Sequence, residues 1–108
     1  MTSNQQNELE SRLLAVLKEL ERQEQVSTNY PPHVLQFADE MKQIHEYVEL
    51  AGEYGLAYES LVATIESHPF VLTGKAAISL LEIGLLLGFK TDRKEDRHFD
   101  RRQNSRQV

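Results

Sequence analysis

The sequence predicts an all-α protein, a compact bundle of four main helices with a charged C-terminal extension. Apolar residues recur at intervals of three and four in separate segments, which places them on one face of a helix. Prolines and glycines, which interrupt helices, stand between these segments. The chain has 108 residues, of which 40% are hydrophobic, and this suits a single core. We expect a helical domain over residues 1–90 and a partly disordered charged tail over 91–108.

The first two predicted helices lie on either side of a double proline. The first runs from Glu8 to Glu24, and its apolar stripe is Leu9, Leu13, Val16, Leu17 and Leu20. Pro31 and Pro32 forbid a continuous helix but are tolerated in a first turn, so the second helix is predicted to start near Pro32. Its apolar stripe is Val34, Phe37, Met41, Ile44 and Val48, and its opposite side carries Asp39, Lys42, Glu46 and Glu49.

Glycine and proline also bound the last two helices. Gly52 suits the left-handed position just past the end of helix two. Helix three is predicted over 53–67, before His68 and Pro69, and helix four over 74–87, with Thr73 as its cap and Gly88 after it. Helix four is apolar nearly all round. It is therefore either the central helix of the bundle or a partly exposed helix that a partner or a second copy completes.

Composition excludes several kinds of chemistry. With no cysteine, the chain cannot form disulfides, thiolate metal sites or a thiol nucleophile. Its glycines match no phosphate-binding or dinucleotide-binding motif. No apolar run reaches the roughly 18 residues of a membrane span, and residues 1–7 are polar, with neither a basic start nor the apolar core of a signal peptide. We expect a cytoplasmic protein that is not an enzyme and has no catalytic residue, no cofactor, no metal and no membrane partner.

The histidines offer the remaining candidates for acid–base chemistry. His45 lies four residues before Glu49, a spacing that favours an ion pair across one helical turn over a role as general base. His33 and His68 stand at helix boundaries, where imidazoles cap helices or remain hydrated. The Glu-x-x-His spacing of di-iron bundles occurs once, from Glu95 to His98 in the tail, and chance explains a single match.

Charge divides the chain into two parts. Residues 1–90 contain 13 acidic and 6 basic residues, whereas residues 91–108 contain 4 acidic and 6 basic ones. An acidic body repels nucleic acid and attracts a basic partner. The tail could contact nucleic acid, but acidic residues interrupt its basic run, and we favour a terminal extension without that function.

Two segments resemble the MafI-like family of small helical bacterial immunity proteins. The first is Gly52-Glu53-Tyr54-Gly55-Leu56-Ala57-Tyr58-Glu59 with Leu61, and the second is Glu82-Ile83-Gly84-Leu85-Leu86-Leu87-Gly88-Phe89. Together they define a stretch, Val48 to Phe89, of about two fifths of the chain. Proteins of that family are encoded beside secreted polymorphic toxins, often nucleases, and protect the producing cell by binding the toxin domain.

The resemblance implies a cytoplasmic inhibitor in contact-dependent inhibition between bacteria, which binds a cognate and basic toxin domain. An acidic helical surface would attract such a domain and cover it without any chemistry. Two other interpretations stay open: a helical adaptor or oligomerisation module such as a homodimer, and a nucleic-acid-binding regulator that uses the tail. The candidate contact residues are Asp39, Glu46, Glu49, Glu53 and Glu59, with Tyr54 and Tyr58 as secondary candidates for which core packing is the stronger interpretation.

Overall fold

The computed structural model describes residues 3–88, and all regular structure in this part of the chain is helical. The elements are α1 (Ser3–Glu21), a 3₁₀ helix (Glu24–Asn29), α2 (Phe37–Glu49), α3 (Tyr54–Ser67) and α4 (Gly74–Leu86). The predicted bundle of four main helices is therefore confirmed. None of the described helices is both long and apolar enough to cross a lipid bilayer. The predicted tail lies outside the described residues.

The first helix is the centre of the bundle. Its stripe at spacings of three and four is completely or almost completely buried, and α1 packs against α2, α3 and α4. The core closes around it with side chains from the other three helices, among them Met41, Ile44, Val48, Leu61 and Ile83. The interpretation of helix four as the central helix is therefore wrong. The three- to four-residue apolar period of α1 marks the one face on which the other helices pack, while its opposite face stays exposed.

The predicted start of helix two near Pro32 is also wrong, because α2 begins at Phe37. Residues 31–36 form a turn in which the Val34 amide donates to the Pro31 carbonyl at 3.3 Å. The side-chain amide of Gln36 donates to the carbonyls of Pro31 and Val34, at 2.9 and 2.8 Å. These carbonyls are thereby satisfied without a helix, and Val34 is exposed instead of belonging to the apolar stripe.

An aromatic cluster joins this turn to the end of α3. The Tyr30 ring stacks on the His68 imidazole with centroids 3.6 Å apart, and it meets Phe37 edge-on at 6.0 Å. Phe70 stacks on Phe37 at 6.1 Å. The Tyr30 hydroxyl donates to the Glu40 carboxylate at 2.6 Å. Burial raises the pKa of Tyr30, and the hydrogen bond to Glu40 raises it further. The cluster fixes the first turn of α2 beside the last turn of α3.

The end of α1 and the residues just after it also hold the connection from α3 to α4. The Gln23 side-chain amide donates to the Val71 carbonyl at 2.8 Å, and its oxygen accepts from the Val71 amide at 2.9 Å. The Glu19 carboxylate accepts from the backbone amide and the hydroxyl of Thr73, at 2.7 and 3.1 Å. The Thr73 hydroxyl accepts from the Ala76 amide at 3.1 Å, which confirms Thr73 as the cap of α4.

The last helix buries only one side. Ala76, Ile83 and Gly84 face the core, whereas Ile78, Leu81 and Leu85 are exposed. Of the two alternatives predicted for helix four, partial exposure is therefore the one that the structure shows. Gly88 follows the helix with a positive φ of 83°, a conformation that glycine adopts without steric penalty.

Candidate partner-binding surface

The outward face of α2 carries acidic side chains because the inward face is fixed by packing. Met41, Ile44 and Val48 are buried against the core, and Asp39 and Glu46 therefore project to solvent. The carboxylates occur along the whole face, since Asp39 lies in the first turn and Glu49 is the last helical residue.

The turn after α2 extends this face to α3. Gly52 has a φ of +62°, a left-handed conformation in which an L side chain would be strained. The Ala51 amide donates to the Glu46 carbonyl at 3.1 Å, and the Glu53 amide donates to the Tyr47 carbonyl at 2.7 Å. These bonds close the end of α2 and fix Glu53 one residue before α3, where Glu53 is exposed like Glu59 on that helix. We call Asp39, Glu46, Glu49, Glu53 and Glu59 the acidic surface.

Four of these five carboxylates form no ion pair within residues 3–88, and the exposed Lys42 on the same side of α2 leaves the surface with a net negative charge. Among residues 3–88, the carboxylates of Asp39, Glu46, Glu53 and Glu59 make no ion pair and no side-chain hydrogen bond. Glu49 has a partner in the described part of the chain, the His45 imidazole, whose Nδ1 lies 2.8 Å from a Glu49 oxygen. The surface therefore presents negative charge to solvent, as an approaching cationic protein would meet it.

Beside the acidic surface lies an exposed leucine that sequence analysis did not identify as a contact residue. Leu50 immediately follows α2, between Glu49 and Glu53 in the chain, and 80% of it is exposed. The sequence indicates that Leu50 closes the helix, but the sequence pattern at a helix end gives no sign of whether the side chain turns inward. Burial of this side chain by a partner would remove its apolar area from water and so favour binding.

His45 connects the acidic surface to α1. Its Nε2 lies 3.1 Å from a Glu21 carboxylate oxygen, in addition to the predicted contact with Glu49. Partial burial lowers the pKa of His45, but the hydrogen bonds to Glu49 and Glu21 and their charges outweigh that effect, so the pKa is raised above the ordinary 6.5. The predicted pair across one helical turn is confirmed, and the link to Glu21 is long-range and has no signal in the sequence.

The raised pKa of His45 predicts a pH-dependent stability. The charged imidazole stabilises the fold fully below the unfolded pKa of 6.5, and this contribution is lost as the pH rises through the higher folded pKa. We therefore expect the stability difference between the wild type and His45→Gln, measured by urea unfolding from about pH 5.5 to 8, to shrink as the pH rises. Subtracting the variant removes the contributions of the other histidines. A His45 pKa at or below 6.5 in an NMR titration would contradict the interpretation.

The two tyrosines proposed as secondary contacts differ in position. Tyr54 is half-buried and donates its hydroxyl hydrogen bond to Glu10 at 3.1 Å. Tyr58 is buried in the core, and its ring lies against Gly84 of α4. Burial raises the pKa of both hydroxyls, and the bond to Glu10 adds to the effect at Tyr54. The core-packing role that we preferred from the sequence therefore describes Tyr58 well, whereas Tyr54 retains an accessible edge.

The space between α2 and α3 offers little room for a ligand. A cavity of about 170 Å³ lies between α2 and α3, and its lining includes Glu40, Thr64 and His68. Pockets for drug-sized ligands measure about 300 Å³ or more, so this one accommodates only a few water-sized groups. Within residues 3–88, no group of three or more histidine, aspartate or glutamate side chains is arranged to hold a metal ion. The histidine of the Glu-x-x-His match and the basic run of the tail lie outside the described residues.

Comparisons with protein-family models, curated proteins and solved structures gave no match at the level that would show a relationship.

Proposed function

We propose that this protein is a cytoplasmic immunity protein that neutralises a cognate, basic toxin domain by binding it, without catalysing a reaction. The observation that supports the proposal most is the acidic surface itself. Four of its carboxylates form no ion pair among the described residues, and the exposed Leu50 lies beside it. The resemblance of residues 48–89 to the MafI-like immunity proteins supplies the class of partner.

Two physical effects contribute to binding at this surface, one to the association rate and the other to the dissociation rate. Unpaired carboxylates attract a cationic partner over a distance and raise the association rate, most strongly at low salt. Leu50 acts after contact, because its burial removes apolar area from water and slows dissociation. Binding across the substrate cleft of the toxin excludes its substrate, and no catalytic residue is then needed in the inhibitor.

Charge reversal tests the electrostatic part of the proposal. Where the gene adjacent to this one encodes a large secreted protein, the probe is the C-terminal domain of that protein, produced with and without the chain described here. We expect the wild type to bind this domain and to restore growth of cells that express it. Glu46→Lys combined with Glu53→Lys is expected to lower the association rate by about tenfold or more at low salt, with a smaller effect at high salt.

Glu66→Lys is the control for the single charge reversals, because each replaces one glutamate with lysine. Glu66 is exposed near the far end of α3, about 20 Å along the helix from Glu53 at a rise of 1.5 Å per residue. It should be compared with Glu46→Lys or Glu53→Lys taken singly.

Leu50→Ala is expected to raise the dissociation rate of the complex, whereas the charge reversals lower the association rate. Failure of the wild type to bind the encoded domain, or equal weakening by the control and surface variants, would contradict the proposal.

The exposed face of α4 favours a second candidate function, a helical adaptor or oligomerisation module without a toxin partner. Ile78, Leu81 and Leu85 leave apolar area in water along one face of the helix, and contiguous exposed apolar area is typical of a surface that another protein covers. The two functions are distinguished by the partner: an adaptor gives no protection against the encoded toxin domain, and charge reversal on α2 leaves its assembly unchanged.

A further inference from the structure

The outward side of α4 carries an apolar stripe. Ile78, Leu81 and Leu85 are 62%, 42% and 45% exposed, and their spacing of three and four residues aligns them on one face of the helix. The opposite side of α4 packs against α1 and α3. Residues 3–88 of the chain therefore leave this apolar face of α4 exposed to solvent.

A groove runs beside the stripe, between α4 and α1. The two helices are antiparallel, since Arg12 contacts Glu82 near one end and Glu19 contacts Thr73 near the other. The groove has a volume of about 670 Å³, and its lining includes Ser11, Ala15 and Ile78. Small side chains on α1 leave this space open, and a large apolar side chain from outside can enter it.

This side of an acidic protein is nearly neutral. Arg12 contacts both Glu8 at 2.9 Å and Glu82 at 3.1 Å, so the acidic residue on the rim of the groove is paired. Lys75 contributes one positive charge at the start of α4. Two copies of a chain with a net charge of −5 repel each other least where they approach through such a face.

We propose that two copies of this chain associate through α4, with their α4 helices antiparallel across a two-fold axis near Leu81. Ile78 stands three residues before Leu81, and Leu85 stands four residues after it. An antiparallel pairing with the axis between residues 81 and 82 therefore sets Ile78 against Leu85 of the second copy and brings the two Leu81 side chains together beside the axis. This self-complementarity is what a two-fold interface requires.

Lys75 determines the antiparallel orientation. It lies in the first turn of α4, where the helix dipole disfavours a cation, and α4 has no basic residue in its last turn. Antiparallel pairing brings Lys75 to the C-terminal end of the other α4, whose carbonyl groups attract a positive charge. Parallel pairing would instead place the two Lys75 residues together at two positive helix ends.

The first test is the mass of the full chain in solution. We expect light scattering to approach twice the 12.5 kDa chain mass as the concentration rises over about a hundredfold range. Leu81→Lys places two like charges beside the two-fold axis and is expected to give a monomer throughout. Leu56→Lys is the matched control, since Leu56 is 44% exposed on α3, and it should leave the dimer intact. Circular dichroism confirms that both variants fold.

The absence of cysteine allows a second, orientation-specific test. Leu81→Cys, oxidised with diamide, is expected to form a disulfide-linked dimer faster than Leu56→Cys. Ile78→Cys and Leu85→Cys proteins should crosslink with each other when mixed, and more slowly when each is oxidised alone. Parallel pairing would reverse that last result.

The proposal is overturned if the chain stays monomeric at every concentration, as it would if residues 89–108 covered the stripe in the same chain. It is also overturned if Leu81→Lys and Leu56→Lys give the same mass, or if crosslinking does not depend on position. These outcomes do not bear on toxin binding, because the acidic surface lies on α2, its following turn and the start of α3.

Discussion

Leu17→Ala is expected to lower the free energy of unfolding by about 2–5 kcal/mol. Leu17 is fully buried on the central helix, so the shorter side chain loses its transfer free energy and leaves a cavity among packed neighbours. Because small domains are stable by only about 5–15 kcal/mol, the variant is expected to unfold at a much lower urea concentration. The chain has no tryptophan, so helical circular dichroism is the suitable signal.

The matched control is Leu50→Ala, the same change of side chain at an exposed position. Leu50 is outside the core, and its truncation should alter stability by no more than about 0.5 kcal/mol. If both variants were destabilised equally, the central position of α1 would be wrong. The pair also separates stability from binding, since Leu50→Ala is expected to weaken the proposed toxin complex while the fold stays intact.

Gly84→Ala is expected to destabilise the protein by about 1–3 kcal/mol, against the normal helix preference of alanine. A Cβ at position 84 would lie 2.7 Å from the Tyr58 hydroxyl oxygen and 3.2 Å from the ring carbon that bears it. Tyr58 is buried and has little room to move away. The steric conflict therefore outweighs the roughly 1 kcal/mol that alanine gains over glycine in a helix.

A double-mutant cycle tests the cause of that loss. In the Tyr58→Phe background the closest atom is absent, so Gly84→Ala should cost less than it does in the wild type. Gly74→Ala is the control on the same helix, because a Cβ there meets nothing within 4 Å, and it should be neutral or stabilising. Urea unfolding of the four proteins of the cycle and of the control gives the coupling. Additive effects of the two substitutions would refute a contact between Tyr58 and the added methyl group.

Local patterns predicted most of the fold. Helices α3 and α4 have nearly the predicted bounds because Pro69, Thr73 and Gly88 act on the backbone within one turn. The start of α2 was not predictable in this way. It depends on the Gln36 side chain, which bonds carbonyls two and five residues earlier, and the double proline is compatible with either outcome.

The candidate surface was predicted in part. The acidic face of α2 follows from helical periodicity, because the residues opposite the buried apolar positions point to solvent. The link from His45 to Glu21 depends on how α1 and α2 pack, because the two residues are 24 positions apart in the chain. The exposure of Leu50 likewise depends on the packing at the end of α2. The close approach of Tyr58 to Gly84 likewise belongs to the packing of α3 on α4. The partner-binding role of the acidic surface stays a prediction.

The central position of α1 has a consequence for synthesis on the ribosome. The helix on which all the others dock precedes them in the chain, and each later helix finds its packing surface already made. The connection into α4 contacts Glu19 and Gln23 of the α1 region, so the last helix is positioned by residues translated about 50 positions earlier. The apolar stripe of α1 is therefore the first to leave the ribosome, and it stays partly uncovered until α2, α3 and α4 have been synthesised.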